Sequence, residues 1–453
     1  MSQQSDYATP DRTRVASRFA RVVPLAFVTY SLAYLDRVNW GNAIAGGMQQ
    51  TLGMSAFMVA FTAASFFPGY WLLQIPGAGY AAHRSTRRII FWALVSWGII
   101  ATSTGLVKSI PYLLVARFML GLVEGVVYPS LLVYLTHWFT RRERSRANTL
   151  LILGNPITVT WASIVSGYLV QVFDRHQVGR LVGWQMMLVI EGLPTLIWAF
   201  LWLLLADDRP ADATWLAPGE AAAVQDALDR EQQTIPRMAD VWVAFSDARV
   251  LLLCGQFLFW SVGIYGLVMW LPQIVNQGLQ RGIGKAGLLT AIPYLMSSGV
   301  MFAVAVVSDR MLVRKPFVWP SLFIGAIGLY ASYLAGAAHF WLAFLGLIIA
   351  AICMYAPYGP FWAMVAELVP RTVVGESMAL INTAGAVGGF LGTFLVGWIK
   401  ETAGLGAAFV FMAAVLVLSG GFTLLVRLRP NEPIGQLPVG HLAVTPVEVR
   451  RHP

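Results

Sequence analysis

Five ionisable residues of this 453-residue chain lie inside long apolar runs: Asp36, Arg37, Arg117, Glu124 and Glu191. A charged side chain at membrane depth costs about 2.5–3.5 kcal/mol on insertion scales, so such residues are kept where they face a protein interior or a water-filled cavity. Two arginines suit an organic carboxylate, because a guanidinium fork offers parallel donors to a planar anion and stays charged. Carboxyls in the same cavity can exchange protons, so anion binding and protonation can influence each other. Spacing places these groups. Tyr30, Tyr34 and Arg37 fall on one stripe at i, i+4 and i+7, with Asp36 turned about 100° away. Arg117 and Glu124, seven apart, share a helix face at about 10 Å along its axis. A purely structural alternative pairs Asp36 with Arg37 and Arg117 with Glu124. Glu191, in Ile190-Glu191-Gly192-Leu193-Pro194, falls near a helix end, where packing or capping is the expected role.

The second half has no central ionisable residue. It offers Tyr265, Tyr355, Tyr358, Trp362 and Asn382, which can bond hydroxyls or stack on a ring. Charge recognition is therefore expected from the first half and neutral polar recognition from the second. Asn155-Pro156 interrupts helix hydrogen bonding, which predicts a bend and an Asn155 amide free to face a cavity. Gly385, Gly388, Gly389 and Gly392 read as close helix packing.

The elements that must position these residues are membrane helices. Hydrophobic residues make up 57% of the chain and charged ones 12%, about half the charged share of a soluble domain. Twelve apolar runs are long enough to span, a crossing needing about 20 residues: 22–45, 55–81, 88–107, 111–138, 147–172, 184–206, 250–275, 285–308, 317–337, 340–366, 375–399 and 405–427. The expected fold is an all-α membrane protein of two six-helix halves. Its parts are an N-terminal tail 1–21, a first half 22–206, a linker 207–249, a second half 250–427 and a C-terminal tail 428–453. With both termini inside, 23 of the 31 Lys and Arg lie in cytoplasmic segments and six in outer loops, as the positive-inside rule requires. The net charge of +9 is thus explained by basic loops against a bilayer, not by nucleic acid. Leu216-Ala217-Pro218-Gly219-Glu220 opens a short amphipathic helix, roughly 220–232, within the linker. Tyr128-Pro129 recurs as Tyr358-Gly359-Pro360 at an offset of about 230 residues, which suggests halves related by an axis along the membrane normal.

Other classes are disfavoured. There is no G-x-x-x-x-G-K-[ST] for nucleotide-driven pumping, no metal constellation and no Ser-His-Asp arrangement, so neither an enzyme nor a cofactor is expected. Cys254 and Cys353 read as small core residues, and the polar, arginine-bearing N-terminus is not a cleavable signal peptide.

Twelve spans, a central linker and Gly79-x-x-x-His83-Arg84-x-x-Arg87-Arg88 after span 2 resemble the major facilitator superfamily. That resemblance implies that His83, Arg84, Arg87 and Arg88 form its gating loop, although His83 and Thr86 stand where the family has an acid and a glycine. Tyr34-x-Asp36-Arg37-x-Asn39, Arg117-x-x-x-Gly121-x-x-Glu124-Gly125-x-x-Tyr128-Pro129 and Trp138-Phe139-x-x-x-Glu143-Arg144 resemble its anion:cation symporter branch. Leu151-Ile152-Leu153-Gly154-Asn155-Pro156, Asp207-Asp208-Arg209-Pro210-Ala211 and Met354-Tyr355-Ala356-Pro357-Tyr358-Gly359-Pro360 look most like bacterial 2-ketogluconate transporters. The resemblance implies carboxylate contacts at Arg37 and Arg117, proton handling at Asp36 and Glu124, and sugar-acid contacts at Tyr70 and Asn382. Tyr34, Asn155, Tyr358 and Trp362 complete the candidate binding set. The expected protein is a monomeric, proton-coupled importer of a sugar acid, 2-ketogluconate first, in a bacterial inner membrane. Tartrate, another aldonate or an aromatic carboxylate is the nearest alternative, and a drug efflux pump a more distant one.

Overall fold

The computed structural model describes residues 12–176, 179–233, 248–279, 282–311, 313–368 and 374–426. The tail residues 1–11 and 427–453, and 234–247 of the linker, lie outside them. So does Arg371, one of the basic residues of the topology argument.

Every described element is helical. In hydrocarbon a span must satisfy its own backbone, which a helix does internally. The spans are α1 (Arg12–Ala45); α2, which runs as Ala56–Ala64 and Phe66–His83; and α3 (Thr86–Leu106). Next come α4, as Ile110–Glu124 and Val127–Trp138, α5 (Arg141–Arg175) and α6 (Gly183–Leu205). The second half holds α7 (Ala248–Leu279), α8 (Ile283–Met311), α9 (Lys315–Ala335) and α10, as Phe340–Tyr355 and Tyr358–Leu368. The run Val374–Leu425 is two helices meeting at Gly404, whose φ of 87° no other residue type adopts cheaply; residues 374–403 are α11 and 405–425 are α12. Among the described residues, ten runs are long and apolar enough to cross a membrane. The last of these is the α11–α12 pair, and α1, interrupted by Asp36 and Arg37, completes the twelve.

The outer surface is apolar: Trp92, Leu204, Ile327, Leu334 and Trp341 are all exposed. In water such a surface would aggregate; against lipid it is the expected exterior. Buried tryptophans 97, 184, 202, 260 and 270 fill the interior instead.

Packing within each half relies on small residues. A Cβ on Gly121 would overlap the Phe66 carbonyl, and one on Gly125 the Tyr70 carbonyl, so α4 lies directly on α2. Gly388 and Gly392 seat α11 against the backbone of α7 at Leu258 and Val262. Across the halves, α5 packs on α8 and α2 on α11. The halves also meet at the end opposite the linker helix. There the Asn276 amide donates to the Ala45 carbonyl at 3.1 Å and Gly397 abuts Ala60. The Phe57 amide bonds Glu401 across the halves, while Lys400 donates to Gln273 at 2.5 Å within the second half.

Three structural details refine what the sequence predicts. α1 begins at Arg12 rather than near Val22, because its polar first turns are helical too. The linker helix is Pro218–Gln233, slightly longer than predicted. α5 passes through Pro156 as one helix. The Thr160 hydroxyl donates to the Pro156 carbonyl at 2.8 Å, a local bond that side chains of this type make readily in helices.

Candidate functional site

Between the halves lies a cavity with about 670 Å³ of space not occupied by atoms, its open mouth included. The first half lines it with Tyr30, Tyr34 and Arg37 from α1, Phe66, Phe67 and Tyr70 from α2, Tyr128 from α4, and Ile152 and Asn155 from α5. The second half contributes Phe257, Ser261 and Tyr265 from α7, Tyr358 and Trp362 from α10, and Asn382, Gly385 and Ala386 from α11. The broken helices matter here. α4 and α10 each restart at the Tyr-Pro repeat, and each restart places its tyrosine, Tyr128 or Tyr358, on the wall.

Of the candidate binding residues, Tyr34, Arg37, Tyr70, Asn155, Tyr358, Trp362 and Asn382 all line this cavity. Arg117 does not. It lines a smaller adjoining space, with Tyr34, Arg37, Phe66, Met269 and Thr393, and its guanidinium sits over Trp40 at 4.6 Å and Phe66 at 5.2 Å. Among the described residues, Arg37 is the one charged residue on the larger wall. Its guanidinium lies 4.7 Å from the Tyr70 ring centroid, 5.4 Å from Phe66 and 5.7 Å from Tyr34. Aromatic faces hold a cation there without neutralising it. Tyr355 is buried behind the wall, stacked on Tyr358 at 6.0 Å.

The ion pairs differ from the structural alternative drawn from the sequence. Asp36 is not paired with Arg37, nor Arg117 with Glu124. Instead Arg37 Nε donates to Glu124 Oε1 at 2.7 Å, with an η nitrogen 2.6 Å from the same oxygen, and Arg117 lies 3.9 Å from Asp36 Oδ2. The reason is geometric. Consecutive helix residues diverge by about 100°, and residues seven apart stand too far along the axis to bond. Each charge on α1 therefore finds its counter-charge on α4. Neither pair is fully satisfied: Glu124 Oε2, Asp36 Oδ2 and Arg117 Nε are buried with no hydrogen-bond partner. Asn39 donates to Asp36 Oδ1 at 3.2 Å.

The loop residues lie at the linker end. His83 and Arg84 are exposed, and His83 Nδ1 is 2.8 Å from the Gly79 carbonyl. Arg87 Nε donates to the Leu203 carbonyl at 2.8 Å. The acid that engages this loop is Asp208, which accepts from the Arg87 amide at 2.8 Å and the Ser85 hydroxyl at 2.6 Å. Carboxylates at a helix N-terminus satisfy free amides in this way. Arg88 uses its amide alone, donating to Ser85 at 3.1 Å.

Sequence reasoning missed Phe66, Phe67, Phe257 and Ser261. Phenylalanines in an apolar run carry no polar signal, and a single serine there reads as a small packing residue. The only hint was the break at Ser65, which opens the second piece of α2 with two phenylalanines.

Twelve helices in two halves around a central polar cavity define a multi-pass membrane transporter. The family model described as Major Facilitator Superfamily matches residues 26–393 and 286–453, and the chain belongs to that family. It is 31% identical over 414 residues to a protein of Agrobacterium vitis named "Putative tartrate transporter", covering 91% of each. It is 28% identical to a quinolone resistance transporter of Acinetobacter baumannii, covering 88% of this chain and 91% of that one. Its fold matches a bacterial homolog of the human lysosomal transporter Spinster, in an inward-facing, unoccupied conformation, with a TM-score of 0.74 at 18% identity over 91% of this chain and 99% of the other.

Proposed function

We propose that this chain is a proton-coupled importer of an organic anion, with Arg37 as the carboxylate receptor and a sugar acid, 2-ketogluconate first, as the solute. The observation that carries the reading is that the lone charge on the cavity wall, among the described residues, is a guanidinium tethered to a buried acid. Glu124 and a substrate carboxylate compete for the same donors. A proton on Glu124 dissolves its ion pair and releases Arg37 to the anion; deprotonation reclaims it. The remaining wall fits a polyhydroxy acid, since tyrosine hydroxyls, Ser261, Asn155 and Asn382 can meet hydroxyls while the rings cover the carbon chain. Asn155 Oδ1 is buried without a partner, as an acceptor awaiting a ligand donor would be. With the linker side cytoplasmic, the contacts at Asn276, Glu401 and Gly397 close the periplasmic end in a bacterial inner membrane, and rocking of the halves alternates access.

The tartrate-named relative favours a second reading, with a dicarboxylate as solute. The wall argues for one carboxylate, because Arg117 is held by Asp36 and screened by Phe66. A second carboxylate would face no further free cation among the described residues, and one uncompensated charge costs well over 1.4 kcal/mol in such a site, or at least about tenfold in affinity. In counterflow with labelled 2-ketogluconate at pH 7, gluconate should therefore compete at least about tenfold better than tartrate. Stronger competition by tartrate would transfer the assignment to the dicarboxylate reading. An efflux pump for amphipathic drugs predicts instead that Arg37→Ala leaves transport intact.

A further inference from the structure

The smaller space beside Arg117 has no part in the mechanism above. Its position follows from the direction of the chain. α2 and α4 start at the end where the halves meet, and α7 and α11 finish there. On each of them the smaller space is lined nearer that end than the cavity is. Ala63 precedes Tyr70 on α2 and Arg117 precedes Tyr128 on α4, while Met269 follows Ser261 on α7 and Thr393 follows Ala386 on α11. Four helices thus set the smaller space between the cavity and the closed end.

Among the described residues, Tyr34, Arg37, Phe66, Phe67 and Tyr265 line both spaces and so stand between them. The first four belong to the first half. There Glu124 holds Arg37 at 2.6 Å, and the Phe66 ring lies 5.4 Å from that guanidinium and 5.5 Å from the Phe67 ring. Tyr265 comes from the second half. Its ring meets Phe67 edge to face across the halves, with centroids 5.3 Å apart and planes at 89°. Both rings rest on Gly389 of α11, where a Cβ would lie 2.5 Å from Phe67 Cε1 and 3.0 Å from Tyr265 Cδ2. Gly388 and Gly392 seat α11 on α7, so Gly389 and Tyr265 move together. Rocking of the halves therefore parts the partition at Phe67 and Tyr265.

We propose that Phe67 and Tyr265, closing over Gly389, are the outer gate of the cavity. They separate the bound solute from the smaller space, which is the vestibule it crosses on entry. Arg37 lines both spaces and takes the carboxylate as the pair parts. An edge-to-face pair adds little beyond the area it covers, so it can open and re-form in each cycle. The vestibule's role rests on the import reading above, but the test of the gate uses no solute.

That test is thiol labelling from one side. Cys254→Ser and Cys353→Ser remove the free thiols of the described residues. A reporter is then placed outside the pair, Ala63→Cys, or inside it, Ala386→Cys, and a charged, membrane-impermeant methanethiosulfonate is added outside right-side-out vesicles. A gate open about a tenth of the time or less should make Ala386→Cys react at least about tenfold more slowly than Ala63→Cys. Phe67→Ala should speed labelling of Ala386→Cys until the two rates differ by less than about threefold, since the inner site is then open whenever the vestibule is. Gly389→Val, which drives the rings apart, should do the same and serves where Phe67→Ala does not fold. A merely structural role for the rings would change both rates by one factor. Equal rates in the parent, or a ratio that neither folded variant changes, overturns the gate. Labelling as stated in a protein that exchanges no organic anion would keep the gate and overturn the import reading.

Discussion

Replacing Arg37 by alanine should abolish saturable uptake while leaving an assembled protein only if Glu124 is neutralised as well. The guanidinium supplies the charge-assisted hydrogen bonds that a carboxylate needs, worth about 1.5–3 kcal/mol, so binding should weaken by roughly 10- to 150-fold. The same change strands Glu124, whose side chain is 0% exposed, as an unpaired acid. Removing one partner of a buried pair costs about 3–5 kcal/mol. The two effects separate in variants. Arg37→Ala should yield little folded protein, and Arg37→Ala with Glu124→Gln should recover yield without recovering binding. Substrate-dependent thermal shift on both purified proteins reads yield and affinity together. Restored binding in the double variant would mean that the anion is held elsewhere. Arg37→Lys keeps the charge but loses the fork, so it should bind more weakly than wild type at every substrate concentration.

Glu124→Gln has the second large effect, and its sign is opposite for two readouts. An amide in place of the carboxylate leaves Arg37 permanently available, so exchange of labelled for unlabelled anion should persist and affinity should rise. Uphill accumulation should vanish, because no proton is needed to release the receptor. A one-proton, one-anion cycle accumulates its solute about tenfold per unit of imposed pH gradient; the variant should stop at the external concentration. Retained accumulation would remove Glu124 from the coupling path.

Much of this was readable from the sequence because lipid imposes strong rules. Runs of apolar residues and the placement of lysine and arginine fix the number of spans with little help from packing. Ionisable residues stand out against such runs, and Arg37 duly faces the cavity. What a single helix cannot reveal is which residue on another helix it meets. The exchange of partners between Asp36–Arg37 and Arg117–Glu124 depends on how α1 lies against α4, which the sequence of neither helix encodes by itself. Arg117 was expected on the same wall as Arg37, yet Phe66 intervenes. Glu191 finds its partner on another helix as well, the Ser166 hydroxyl of α5, which the sequence around Glu191 does not indicate. The absent acid in the loop after α2 is supplied by Asp208, 125 positions after His83, which no local pattern could indicate.

The central claim is that anion movement and proton movement share one receptor. The most direct measurement is uptake of labelled 2-ketogluconate into proteoliposomes with the exterior made acidic. Competition between Glu124 and the solute for Arg37 predicts a transient accumulation above the external level that a protonophore collapses. Uptake that proceeds to equilibrium at the same rate with or without the gradient, and ignores the protonophore, would contradict it.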